Sequence, residues 1–480
     1  MKQFINNKLI TAIFLIWACI ANVAHAELGP ELIKDILIGS SGSYPSELTN
    51  INDTVFFRAE TETYGEELWK TDGTKTGTVM VKDIDTEIQF GLGSGSTPEY
   101  LTKVKNTLFF TADDGVDGFE VWKSDGSEAS TVMVKDIRSG GHSFPRDLID
   151  IDDTLYFNAD DGASHGRELW KSDGSEAGTV MVKDINKDGA DSDPRNFVQV
   201  NDALYFVADD GVNGRELWTS NGTDIGTVLV KNIRAGSINS FISNMVNVNG
   251  ALFFTVDDAV HGNELWKSDD SGTELVKDIN DGSLGSSPQH LINFNGTLYF
   301  QANDGNTGRE LWKSDGTPTG TVLVKNIDDG IGHSSPSSLF NHNGVLFFAA
   351  DDGVNGKALW KSDGTEQGTE LVKHLPGGVG YNTIGDFTTN NDTLYFIGTD
   401  NVFGREIWAS DGTTSGTKLI KDIVNGPMGS SPDYLTNLNG TLLFTTDDSI
   451  HGQELWYLIE SCDFFTVPLP SNSNAVVFCL

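Results

Sequence analysis

Apolar positions along this chain fall in short runs of a few residues, separated by polar turns at a nearly constant interval. The stretch 145–185 shows one period. Its apolar runs are 148–151, 155–157, 169–170 and 180–182 with Ile185. They are rich in β-branched and aromatic residues, which predicts strands. Residues 155–157 and 180–182 are apolar at consecutive positions, as in strands covered on both faces. Between the runs lie Asp152-Asp153, Asp160-Asp161-Gly162 and Asp173-Gly174. Such residues tolerate the positive φ of tight turns. No stretch of the repeat region holds a 3.6-residue period long enough for a helix. One period therefore predicts four antiparallel strands.

The period itself is marked by tryptophan. Trp69, Trp122, Trp170, Trp218, Trp266, Trp312, Trp360, Trp408 and Trp456 are spaced by 53, 48, 48, 48, 46, 48, 48 and 48 residues. A repeat of that length, four strands per unit, predicts an all-β, single β-propeller of about nine four-stranded blades. The ends set the phase. Residues 31–36 read as the last strand of a unit, and the repeats stop at 454–456 in a third strand. The N-terminal strand is thus expected to close the ring beside 432–456, removing two open edges. Residues 85–96 read as a Gly-rich insertion in a loop.

Three segments follow. Residues 1–26 read as a signal peptide, with Lys2 and Lys8, an apolar stretch 9–20, and Ala24-His25-Ala26 before the cut. Residues 27–456 are the nine-repeat propeller, and 457–480 are a tail. Without Cys19 the remaining cysteines are Cys462 and Cys479, expected to pair as a disulfide in an oxidising compartment. The expected location is secreted, periplasmic or cell-surface. No later segment is apolar enough to span a bilayer as a helix. The net charge is −37, and the leader holds two Lys and no acid, so the remainder is near −39 (−37 − 2). That excludes phosphate-backbone binding as a main activity and leaves an unknown protein or glycan as the partner.

The recurring block G-x-E-L-W-K-S-D-G-T-x-x-G-T-x-L-V-K-D-I resembles the bacterial ELWxxDGT repeat proteins. The likeness is complete over Glu310-Leu311-Trp312-Lys313-Ser314-Asp315-Gly316-Thr317. It departs at Ala358, Asn221, the shortened Asp269-Asp270-Ser271-Gly272 and Tyr457. The layout is also similar to TolB-type propeller repeats. The resemblance implies secretion and a propeller, and no reaction.

Candidate chemistry sits in repeated columns. Asp209, Asp210, Asn213 and Glu216 show the loop D-D-G-x-x-G-x-E. Asx side chains closing the turn account for it, and Ca²⁺, which takes six to eight oxygens, is the alternative. No other cofactor is implied. The Trp column reads as packing between blades, with an aromatic sugar platform as the alternative. Lys183-Asp184 and its repeats read as solvated charges. Asn50, Asp150, Gln199, Asn247, Asn293, Asn341 and Asn437, with Lys103 and Thr389, fall on the strand expected innermost and would line the channel. The histidines are scattered, and no H-E-x-x-H, G-x-S-x-G or P-loop is present. The expected function is a non-enzymatic binding or cell-surface scaffold. The runner-up is a secreted carbohydrate-active enzyme working from one face of the ring.

Overall fold

The computed structural model describes residues 29–89, 92–162, 164–354, 356–376, 383–458, 465–468 and 474–477. Nine four-stranded sheets follow one another along the chain. The first strands of neighbouring sheets touch in cyclic order, and the ninth touches the first. They are therefore innermost, and the sheets are blades of one closed β-propeller. Residues 32–457 form one compact unit, and 1–31 with 458–480 form a second. In that second unit Phe465–Pro468 pairs with Asn474–Val477 as a hairpin. The signal-peptide reading (1–26), Cys462 and Cys479 lie outside the described residues.

The third blade shows the local rules. Its strands are Arg146–Ile151, Thr154–Asp160, Arg167–Ser172 and Val180–Lys183. Asp152 and Asp153 turn between the first two at φ 48° and 67°, the paired positive values that suit the strand twist. Trp170 lies opposite Phe157 and packs with Leu155 and Phe157 of its own blade. The same indole meets Phe109, Val121 and Val134 of the preceding blade. All nine repeat tryptophans are only 3–8 % exposed, so the sugar-platform alternative is excluded at this column. Burial of each such ring contributes roughly 2–3 kcal/mol, and it is drawn from two blades at once.

Two polar columns complete the framework. The Glu before each Leu-Trp is fully buried in eight blades, and Ala358 replaces it in the seventh. Glu310 accepts from Ile327 N (2.8 Å), Ser334 N (3.0 Å) and Ser334 Oγ (2.6 Å). It therefore pins the connection to the next blade. The Lys of most Lys-Asp pairs is not a solvated charge, contrary to expectation, while Lys183 keeps an exposed contact with Asp224. Lys135 Nζ donates to Thr179 O of the next blade at 2.9 Å and lies 5.9 Å over the Trp170 ring. Lys82, Lys231 and Lys277 do the same. The partner sits one blade away, so its sequence neighbour Asp gives no sign of it.

The ninth blade is composite. Pro30–Lys34 completes the sheet begun by Asp433–Leu438, Thr441–Asp447 and Gln453–Leu458. Across this seam Glu454 accepts from Leu37 N (3.1 Å), Ser43 N (3.0 Å) and Ser43 Oγ (2.7 Å). Gly42 is required there: at φ 74°, a Cβ would run into the Gln453 backbone. The insertion at 85–96 is more ordered than a plain loop. Ile88–Gln89 pairs with Leu92–Gly93, and Gly93 N reaches Glu62 O at 3.4 Å.

Candidate ligand-binding rim

Strand direction gives the ring two unlike rims. The connections from second to third strands, and from each fourth strand to the next blade, share one rim, here the entry rim. The first-to-second turns and third-to-fourth connections share the other, the turn rim.

The expected channel residues lie on innermost strands and are tied to one another. Asn50 Nδ2 donates to Asn437 O (2.6 Å), Asn247 to Gln199 O (2.9 Å), Asn293 to Asn247 O (3.1 Å) and Asn437 to Thr389 O (3.3 Å). Asn341 reaches Asn295 and Gln199 reaches Asp152. Burial and the neighbouring Asp153 raise the pKa of Asp150. These amides link blade to blade around the ring.

The calcium candidates divide. Asp209 Oδ1 accepts Gly211 N (2.8 Å), and Asp210 Oδ1 accepts Val212 N (2.9 Å) and Asn213 N (2.7 Å). Asp210 Oδ2 takes the Asn213 amide at 2.7 Å. Glu216 is buried beneath and serves Ile233 N, Arg234 N and Ser240 Oγ. The loop thus brings Asp210 and Asn213 together as turn caps and keeps Glu216 for the framework. Among the described residues no group of three or more His, Cys, Asp or Glu is placed to hold a metal ion. His165, His261 and His451 each pair with an Asp of their own loop, at 2.6, 2.7 and 2.8 Å. That bond raises the pKa of each imidazole.

The feature absent from the expectations is the arginine distribution. The chain has nine arginines: 58, 138, 146, 167, 195, 215, 234, 309 and 405. Arg146 and Arg195 begin first strands, and Arg167, Arg215, Arg309 and Arg405 stand at the start of third strands. Arg138 and Arg234 lie in fourth-to-first connections, and Arg58 reaches Ser46 Oγ at a first-strand start. All nine therefore serve the entry rim. Among the described residues the five exposed aromatic ones, Tyr44, Tyr64, Phe144, Phe241 and Tyr434, are on the same rim. So are the exposed Val116, Val212, Val260 and Val354 of the second-to-third connections.

Several rim acids are already engaged by arginine. Asp193 pairs with Arg215 (2.7 Å), Asp160 with Arg138 (2.8 Å), Glu99 with Arg58 (3.6 Å) and Asp386 with Arg405 (3.3 Å). Asp147 accepts the Asn158 amide at 2.9 Å, and burial raises its pKa. Arg146 and Arg309 make no side-chain hydrogen bond or ion pair among the described residues, and both are exposed.

Backbone strain recurs along this rim. Near the start of each first strand one residue has positive φ in a bulge, among them Glu47, Tyr100, Asp147, His290, Asp386 and Tyr434. Such φ is uncommon outside Gly, Asn and Asp. The position is filled differently in most blades, so the fold fixes the backbone while the side chain is free to vary.

No family model matches the chain, and no curated protein matches it either. Solved structures do. It is similar to a puromycin hydrolase (TM-score 0.41, 11 % identity, 85 % of this chain and 58 % of that one). Prolyl endopeptidases match over 73 % of this chain and 54 % of theirs, at TM-score 0.40 and 12 % identity. An oligopeptidase B from Leishmania major gives TM-score 0.39 and 14 % identity, over 73 % and 52 %. The chain thus spans 52–58 % of the length of these structures. At such identities the likeness is one of fold and assigns no reaction to this chain. It does correct one expectation. The expected non-enzymatic scaffold finds no counterpart among these structures, which are peptidases, and that reading is withdrawn.

Proposed function

We propose that this propeller takes an anionic glycan, as substrate or as ligand, outside the cytoplasm and on its entry rim. The observation that carries this reading is the placement of arginine. A chain of net charge −37 places all nine of its arginines on one rim. Its exposed aromatic rings lie on that rim too. Arginine forks match carboxylate and phosphate-like groups, and aromatic faces take the C–H face of a sugar ring. Membership in the ELWxxDGT repeat family and export through the leader belong to the same proposal, supported by the repeat block and residues 1–26.

The test compares the rims. Immobilised uronate, sulfated and neutral polysaccharides are probed with the wild type, with Arg146→Glu/Arg309→Glu, and with Lys75→Glu/Lys105→Glu on the turn rim. Retention on anionic polymers, weakened only by the entry-rim pair, is expected. Equal retention on neutral polymers, or equal sensitivity to both pairs, overturns the reading.

A further inference from the structure

We propose that a carboxylated pyranose docks between the second and third blades, its ring on Phe144 and Phe119 and its carboxylate on Arg146. This site rests on the anionic-glycan reading above and narrows it to one subsite. The place is where the repeat breaks its own rule. Third strands begin with Glu66, Arg167, Arg215, Asn263, Arg309, Lys357, Arg405 and Gln453 at the register position that holds Phe119 in the second blade. Eight are polar and one is aromatic.

Phe119 does not stand alone. Its ring lies 5.8 Å from Phe144 and 5.7 Å from His142, and His142 stacks on Phe144 at 4.8 Å. Interplanar angles of 21–37° at these separations make the three rings one tilted, offset stack. The Arg146 guanidinium is 5.9 Å over the Phe144 ring. With no ion pair of its own, it keeps its planar fork for a ligand oxygen pair. Glu99, the one acid on the wall, faces Arg58 at 3.6 Å.

The stack is built before any ligand arrives. Phe144 sits at φ 44°, a strained value for a bulky residue. Its N–H donates to Phe119 O (3.2 Å) and its carbonyl accepts from Arg167 Nη1 (2.7 Å). His142 Nδ1 accepts Phe119 N–H at 3.0 Å, which fixes the imidazole plane. Glu99, Tyr100, Phe119, Phe144 and Arg146 are among the residues lining a cleft of about 140 Å³. That is below the roughly 300–1,000 Å³ of sites for drug-sized ligands, and it suits a single ring. A wholly aromatic guest would desolvate the Tyr100 hydroxyl and the Glu99 carboxylate without bonding them, whereas a sugar offers hydroxyls to both.

Calorimetry with a uronate oligosaccharide and its methyl ester, in EDTA, tests the site. The wild type should bind the acid about 10- to 100-fold more tightly than the ester, the span expected for a bond to a charged group. Arg146→Gln should bind acid and ester alike. Phe144→Ala and Phe119→Arg should weaken both, and Phe144→Tyr should retain binding, with unchanged melting curves in each case. Equal binding of acid and ester by the wild type overturns the subsite. So does uronate binding that none of these variants changes, and in that case the rim reading stands. If no anionic polysaccharide binds the wild type, both readings fall.

Discussion

Lysine and arginine carry the same charge, yet the two rims use them for opposite ends. On fourth strands, Lys34, Lys82, Lys135, Lys231, Lys277 and Lys325 each give Nζ to a carbonyl of the next blade. On third strands, Lys70, Lys123, Lys171, Lys313 and Lys361 each reach the glycine carbonyl of the next third-to-fourth turn. These cations are consumed in holding the ring together. The arginines gather at the opposite rim, pair among variable acids, and leave Arg146 and Arg309 unpaired. A flexible ammonium suits a single buried carbonyl, and a planar fork suits a two-oxygen guest. Conformity to the repeat marks the part that builds, and departure from it marks the part that recognises.

The sharpest way to break this comparison uses two adjacent residues. Glu310→Ala removes the acceptor for three donors, two on Ser334 and one on Ile327. At about 1 kcal/mol or more for each donor left unpaired, the loss should be about 3 kcal/mol or more in urea unfolding. The seventh blade already carries Ala358, so the variant is expected to fold. Arg309→Ala next door should change stability by about 0.5 kcal/mol or less, as an exposed and unpaired side chain. Similar losses for both would end the division of labour.

Acidity should separate the framework from its surface as well. Burial holds the carboxyls of Glu67, Glu120, Glu168 and Glu406 up at about 7, against the hydrogen bonds that pull them down. A carboxyl raised on folding binds its proton more tightly in the native state. Stability therefore falls as pH rises from the unfolded value, near 4.5, through about 7. The raised imidazoles of His165, His261 and His451 act in the same direction, losing their contribution as pH rises through their folded values above 6.5. Turn-cap acids such as Asp173, Asp315 and Asp411 are lowered by Ser or Thr hydroxyls, and lose their contribution only below the unfolded 3.8. Melting temperature should peak between these limits and decline toward pH 8. Calorimetry showing a maximum at or above pH 7 would contradict the sign.

Smaller effects sharpen the picture further. Lys277→Met removes the 2.8 Å bond to Thr321 O and the cation 5.8 Å over Trp312. The cost should be about 1–2 kcal/mol by chemical denaturation, and Lys75→Met on an exposed turn should cost almost nothing. Ca²⁺ and Mg²⁺ should shift the melting curve slightly and alike, since Asp210 already spends its oxygens on Val212 and Asn213. Saturable heat with Ca²⁺ but not Mg²⁺, lost in Asp209→Ala/Asp210→Ala, would restore the calcium reading.

The framework was legible in the sequence because it repeats. Strand number, blade number, ring closure and the packing role of the Trp column all follow from periodicity. What periodicity averages away is what differs. A net charge of −37 conceals a rim that collects every arginine, because summation discards place. Gly118-Phe119-Glu120-Val121-Trp122 stands where three other units read Gly-Arg-Glu-Leu-Trp and the remaining five also carry a polar residue before the Glu or Ala, and Phe119 was the available signal for the aromatic cleft. The lysine clasps were misread for another reason. Their partners lie in the next unit, more than 40 residues on, and no local spacing points to them.

The seam in the ninth blade also fixes an order in time. Leu37 and Glu454, bonded across it, are 417 residues apart in sequence. Eight blades need only neighbours made moments earlier, while this one needs strands from both ends of the repeat array. Closing a longer loop adds only about 0.6 kcal/mol per doubling of length, so the delay costs little free energy. It does cost exposure. From its own synthesis until the last blade arrives, Pro30–Lys34 waits as an unpaired strand, and contacts of such span form slowly. A chain halted before Gln453 would carry that strand without its partner, in the kind of species most prone to pair with a second chain.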